Sequence, residues 1–123
     1  MNYIRKHILS LLHDYSNTEK QRYEWVDNLQ KTHFTPTELI EEWFSDTFTN
    51  IPEDLVKKGE ITQEEWEIIR PFYYLFRIFA DHFWKYEDNI PANMTEYEPW
   101  KLIIESSEKT KQKLEKLGWK LDD

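Results

Sequence analysis

Residues 61–89 read ITQEEWEIIRPFYYLFRIFADHFWKYEDN, and this segment constrains the architecture more strongly than any other part of the chain. Its apolar side chains recur at intervals of three or four residues, the spacing of one helical face: Ile69, Phe72, Phe76, Phe79 and Phe83. Other apolar residues occupy two neighbouring faces, so the helix is apolar around most of its circumference. We therefore expect a largely buried central helix, which Pro71 should kink or split near Glu67 because proline removes a backbone hydrogen bond.

Capping residues mark helix boundaries along the rest of the chain. Thr35 followed by Pro36 is a strong helix start, since the threonine hydroxyl caps the first turn and proline at the first helical position loses no hydrogen bond. Thr62 and Glu65 have the spacing of a capping box that opens the central helix. Residues 16–18, Ser-Asn-Thr, predict a break after the first helix. The chain has only two glycines, and both are placed to end helices: Gly59 and Gly118.

The other segments also have helical periodicity, and none alternates apolar and polar residues as a half-buried strand does. The first helix places five apolar residues on one stripe: Ile4, Ile8, Leu11, Leu12 and Tyr15. Tyr23 and Leu117 are predicted to face inward from the second and the last helical segments. The sequence therefore predicts an all-α protein in which residues 1–123 form one domain, a compact bundle of four to five helices.

Composition excludes several classes of protein. Of the 123 residues, 39% are hydrophobic and 16% aromatic, so the chain can bury a core and is not a disordered tail. It has no cysteine, which removes disulfides, thiol nucleophiles and cysteine-bound zinc. Two glycines are too few for a phosphate-binding loop. No apolar run approaches a membrane span and the polar start is unlike a signal peptide, so we expect a cytoplasmic protein without a membrane partner.

Acidic residues are concentrated in the middle of the chain. The formal net charge is −8, and residues 38–67 hold ten acidic and two basic residues, a balance that alone equals −8. This excess repels nucleic acid, which we do not expect as a partner. It predicts a negative surface that either favours solubility or attracts a basic partner, because a field of one sign speeds encounter with the opposite charge.

The sequence contains no motif for catalysis, metal binding or cofactor binding. None of the four histidines follows an acidic residue at the spacing of a Glu-x-x-His metal site, and no two histidines are four residues apart. The serines are not on a strained, glycine-flanked turn. We therefore expect no enzyme, no metal and no cofactor. The alternative is a helical enzyme that binds a metal or a small molecule in a pocket near Pro71, using Arg70, Arg77, Tyr74 and His82.

The chain has more aromatic residues than a core of this size needs, with six tryptophans, seven tyrosines and seven phenylalanines. Some must therefore reach the surface, where large rigid side chains make strong binding anchors. Together with the acidic segment, they predict a surface that binds a basic protein. The residues expected to form it are Glu38, Glu41, Glu42, Asp46, Glu64, Glu67, Tyr74 and Trp84.

Small size, a helical build, an acidic segment and surplus aromatic residues are similar, at the level of class, to bacterial immunity and antitoxin proteins, which block a basic toxin such as a nuclease. The resemblance implies a non-catalytic protein that neutralises one partner by binding it. A further alternative is a homodimeric interaction domain without catalytic activity.

Overall fold

The computed structural model describes residues 1–27, 35–48, 51–86 and 94–121, and for residues 26, 27 and 83–86 it describes the backbone only. Within these ranges the chain forms helices and no strand, which confirms the all-α class. The six α-helices are α1 (Tyr3–Ser16), α2 (Thr18–Arg22), α3 (Pro36–Glu41), α4 (Glu53–Lys57), α5 (Gln63–Tyr86) and α6 (Glu98–Lys116). The described residues form more α-helices than the predicted four to five, because α2 and α4 are separate helices of five residues each.

Two segments of π-helix extend the short helices. The first continues α2 over Tyr23–Asp27, and the second, which we call the α3 π-segment, continues α3 over Glu42–Thr47. In a π-helix the hydrogen bonds span five residues. Such segments are rare in proteins, and those that occur are often found at functional sites. A turn of 3-10 helix, Met94–Glu96, precedes α6. Among the described helices, none is long and apolar enough to cross a membrane.

The predicted caps begin and end these helices. Thr35 Oγ1 accepts a hydrogen bond from the Glu38 amide at 3.1 Å, with Pro36 in the first helical position. Thr62 Oγ1 and the Glu65 carboxylate accept from each other's backbone amides, which confirms the capping box. The break after α1 lies at Asn17, whose side chain caps α2. Both glycines have positive φ, 75° at Gly59 and 101° at Gly118, the conformation that favours glycine after a helix.

An aromatic cluster forms the centre of the core. α6 packs against both α1 and α5, and the α3 π-segment packs against α1. The Tyr15 ring of α1 lies 4.8 Å from Phe76, 5.7 Å from Phe72 and 5.8 Å from Trp43, measured between ring centroids. Its hydroxyl donates to the Leu39 carbonyl at 2.8 Å, so the buried polar group is satisfied.

A buried glutamine joins three helices. Gln21 of α2 is fully buried, and its amide nitrogen donates to the carbonyls of Asp14 and Tyr15 at 2.9 Å each. Its side-chain oxygen accepts from the indole nitrogen of Trp100 on α6 at 3.0 Å. Both N–H groups of the amide nitrogen therefore have an acceptor, and the side chain holds the end of α1 against α6.

The central helix α5 is continuous through Pro71 and is not split near Glu67. One face is buried, including Trp66, Phe72 and Phe76, and the opposite face is exposed. Pro71 lies on the exposed face, where water can hydrate the Glu67 carbonyl that has lost its helical partner. This position explains why a proline is compatible with an unbroken helix here.

Two side chains predicted to face inward are exposed. Tyr23 is 58% exposed, whereas Trp25 is 2% exposed, because residues two positions apart lie on opposite sides of a helix and only one of the two can face the core. Leu117 is 43% exposed at the end of α6, and Trp119 packs into the core after the chain turns at Gly118.

Candidate partner-binding surface

Three carboxylates line the outer side of α3 and its π-segment. Glu38, Glu42 and Asp46 are each four residues apart, while Leu39, Ile40 and Trp43 are buried on the opposite side. The π-helical geometry is supported by the Phe48 amide, which donates to the Trp43 carbonyl five residues earlier at 3.0 Å. Glu38 and Asp46 are exposed and Glu42 is half-buried, so the row of charge faces solvent.

Asp14 of α1 adds a fourth carboxylate to this row, and we call Asp14, Glu38, Glu42 and Asp46 together the acidic face. Burial raises the pKa of the Glu42 carboxyl; the His7 side chain opposes this, and the charges of Asp14, Glu38 and Asp46 raise the pKa further. Burial also raises the pKa of Asp14, against the opposite charge of Lys20 at 3.8 Å. Because like charges repel, ionising Glu42 within the acidic face costs free energy.

An exposed tyrosine borders the acidic face. Tyr3 is 75% exposed, and its ring stacks on His7 with centroids 5.6 Å apart and planes 10° from parallel. His7 in turn interacts electrostatically with Glu42. Tyr3, His7 and Asp14 are not among the residues that the sequence predicts for the partner surface. Their spacing along α1 could have indicated a shared surface, because it places all three on one face, opposite the buried Ile8 and Leu12.

The residues predicted for the partner surface fall on two helices. Three of them lie in the acidic face, namely Glu38, Glu42 and Asp46, and Glu41 is exposed on α3. Three others are exposed on α5, namely Glu64, Glu67 and Tyr74. Trp84 lies in α5, and its side chain is outside the described residues. The carboxylates that act on Glu42 therefore come from α1, α3 and the α3 π-segment.

One acidic residue of the 38–67 segment is turned inward. Glu65 accepts hydrogen bonds from Arg5 Nε at 3.1 Å, from the Thr62 amide at 2.7 Å and from the Trp119 indole at 2.6 Å. Burial opposes ionisation of this carboxyl, but the hydrogen bonds from Arg5, Thr62 and Trp119 outweigh it and lower its pKa. Glu65 thus links α1, α5 and the C-terminal tryptophan, and its charge is neutralised inside the protein.

The lysines of α6 interact mainly within their own helix. Three of them form ion pairs with glutamates of α6: Lys101 with Glu98 at 3.1 Å, Lys109 with Glu105 at 3.4 Å and Lys111 with Glu108 at 3.5 Å. These lysines therefore balance the acidic residues of α6 and do not pair with the acidic face.

A shallow apolar groove of about 220 Å³ lies between α5 and the start of α6. Apolar side chains and His82 line it, and it begins one turn beyond Pro71. Of the residues considered for a pocket near Pro71, His82 lines this groove, whereas Arg70, Tyr74 and Arg77 are exposed on α5 and are not among its lining residues. The described residues also contain no group of three or more histidine, aspartate or glutamate side chains able to hold a metal ion.

Comparison of the chain with protein families, with curated proteins and with solved structures finds no match.

Proposed function

We propose that this protein binds a basic protein partner through the acidic face and neutralises it stoichiometrically, in the manner of an immunity or antitoxin protein. The observation that carries the proposal is the row of Glu38, Glu42 and Asp46 on the solvent side of α3 and its π-segment. Burial, and the charges of Asp14, Glu38 and Asp46 against that of His7, raise the pKa of the Glu42 carboxyl within this row. The Glu42 carboxyl is therefore harder to ionise here than in water. A lysine or arginine of a partner placed among these carboxylates would relieve the repulsion on binding.

Tyr3 provides an exposed aromatic side chain beside the acidic face. Strong protein interfaces combine charged residues with a few large aromatic anchors, and tyrosine is enriched among such anchors. Tyr3 is the most exposed of the large hydrophobic side chains described, and through His7 it adjoins the acidic face. A toxin that acts on nucleic acid needs a cationic site to hold phosphate, and such a site has the charge that the acidic face attracts. A nuclease is therefore the class of partner that we favour.

The test compares two variants with equal loss of negative charge. In the first, Glu38→Gln, Glu42→Gln and Asp46→Asn together neutralise the acidic face. In the second, Glu98, Glu105 and Glu115 of α6 are changed to glutamine. The wild-type protein is used to capture partners at low salt, the captured protein is identified by mass spectrometry, and its binding is then titrated with purified components.

We expect a basic partner whose dissociation constant rises about tenfold or more with the first variant and little with the second. Binding should also weaken with added salt, because salt screens charges at the rim of an interface. For a nuclease partner, an equimolar amount of this protein should abolish hydrolysis. A partner that binds both triple variants equally, or no partner at all, contradicts the proposal.

Glu64 and Glu67 are tested separately by the double variant Glu64→Gln and Glu67→Gln. If the partner spans α3 and α5, this variant should weaken binding as well. If binding is unchanged, the surface is confined to the acidic face and its borders.

A further inference from the structure

The exposed face of α5 carries apolar side chains that no described part of the chain covers. Tyr74 is 49% exposed and Ile78 is 69% exposed, and Leu102 of the adjacent α6 is 55% exposed. Ile78 and Leu102 border the groove between α5 and α6. An exposed apolar patch beside an apolar groove is typical of a protein–protein contact.

The spacing along this face is that of a helix-pairing seam. Glu67, Pro71, Tyr74, Ile78 and Asp81 follow one another at intervals of four, three, four and three, and all five are exposed. Alternation of four and three is the heptad spacing with which two helices pack side by side. The centre of the seam is apolar and its ends are charged, as in a contact with a dry centre and a polar rim.

The charges flanking the seam indicate how a second helix would run. Arg70 lies beside the seam, on the same side of α5 as Asp81 at the end of the seam, and neither forms an ion pair with a described residue. In two parallel copies of α5, each flank faces the opposite flank of the other helix, so Arg70 of one copy would not meet Asp81 of the other. In two antiparallel copies, residues on the same flank face each other, so Arg70 of each copy would meet Asp81 of the other.

We propose that this face binds a second copy of the chain, with the two α5 helices antiparallel across a two-fold axis between residues 75 and 76. That register pairs Arg70 with Asp81 twice. It also places Tyr74 and Ile78 of one copy against the same pair of residues of the other, and directs Ile78 toward the partner's groove. The contact is isologous, so each attractive pair occurs twice. It uses neither α1 nor α3, and the inference does not rest on the proposed function.

The first test is the oligomeric state, measured by sedimentation velocity from low micromolar to submillimolar protein. We expect a monomer–dimer equilibrium in which Ile78→Glu raises the dimer dissociation constant by about tenfold or more, because it places a charge at the centre of the seam. Leu117→Glu, at an exposed leucine just after α6, should leave the equilibrium unchanged. Circular dichroism checks that both variants remain folded. A monomer at every concentration, or a dimer that Ile78→Glu does not weaken, overturns the proposal.

The second test examines the antiparallel register by charge reversal. Arg70→Glu alone and Asp81→Arg alone should each weaken the dimer about three- to tenfold, since each turns two attractions into two repulsions. The double variant should restore the dissociation constant to within about twofold, because opposite charges again meet. A double variant that is weaker than either single variant overturns the antiparallel pairing. Neutralising the acidic face should not change the dimer, which separates this inference from the proposed function.

Discussion

Glu65 shows how one carboxylate serves several parts of the fold. Its oxygens accept hydrogen bonds from Arg5 of α1, from Thr62 at the start of α5 and from Trp119 after α6. The Arg5 guanidinium also lies over the Trp119 ring, 6.0 Å from its centroid. Removal of this carboxylate charge would leave a partly buried arginine with weaker partners, which is more costly than losing an exposed ion pair.

We expect Glu65→Gln to lower the free energy of unfolding by about 2 kcal/mol near neutral pH. The folded-state pKa of Glu65 is lowered from its ordinary value of 4.5. Its contribution is therefore present above the unfolded-state pKa and is lost as the pH falls through the lower folded-state pKa. Urea unfolding at about pH 7 and about pH 3 should show a large difference from wild type that shrinks in acid. The control is Glu64→Gln, at an exposed neighbour; equal stability of the two variants would refute the expectation.

α5 combines a buried face with an exposed proline. Pro71 lacks the amide that would donate to the Glu67 carbonyl, and helix interiors disfavour proline for this reason. The remaining contacts of α5, with rings such as Phe72 and Phe76 packed against Tyr15, hold the helix together across this point. Tertiary packing thus outweighs the local preference of one residue.

Pro71→Ala should stabilise the protein by about 1–2 kcal/mol, because alanine restores the backbone hydrogen bond and has the highest helix propensity. The gain is smaller than the full propensity difference, since proline also restricts the unfolded chain. Thermal unfolding followed by circular dichroism measures the effect, and Tyr74→Ala provides an exposed reference on the same helix. A lower melting temperature for Pro71→Ala than for wild type would count against this interpretation of α5.

Across the whole molecule, tryptophans from different helices meet in one core. Trp25, Trp43, Trp66 and Trp100 are at most 2% exposed, and Trp119 is 4% exposed. The rings of Trp25 and Trp100 lie 5.6 Å apart, and Trp43 and Trp66 both contact Phe48. Shared packing of this kind leaves no independent subset of helices among the described residues.

We therefore expect residues 1–123 to unfold as one cooperative unit. Tryptophan fluorescence, which reports on the core, and far-ultraviolet circular dichroism, which reports on the helices, should have the same urea midpoint and the same slope. The fluorescence maximum should move to longer wavelength as the buried indoles become hydrated. Two separated transitions would show that the chain contains more than one folding unit.

The positions of the helix ends could be predicted from the sequence by local rules, whereas the candidate partner-binding surface could be predicted only in part. Thr35, Thr62 and the two glycines cap helices as predicted, because a cap depends on residues three or four positions away. The row formed by Glu38, Glu42 and Asp46 was also visible from its spacing. The exposure of Tyr23 was not, since Tyr23 and Trp25 lie on opposite sides of the helix and only tertiary packing decides which of the two is buried.

The all-α class, the capped helix ends and the excess of acidic residues are properties of neighbouring residues, and the amino-acid sequence is enough to establish them. Tertiary packing decided which acidic residues keep an unneutralised charge. Arg5 neutralises Glu65 from 60 positions away, whereas the charge of Asp14, on another helix, acts on Glu42. Electrostatic interactions depend on distance and burial, and for residues far apart in the chain both quantities exist only once the helices have packed.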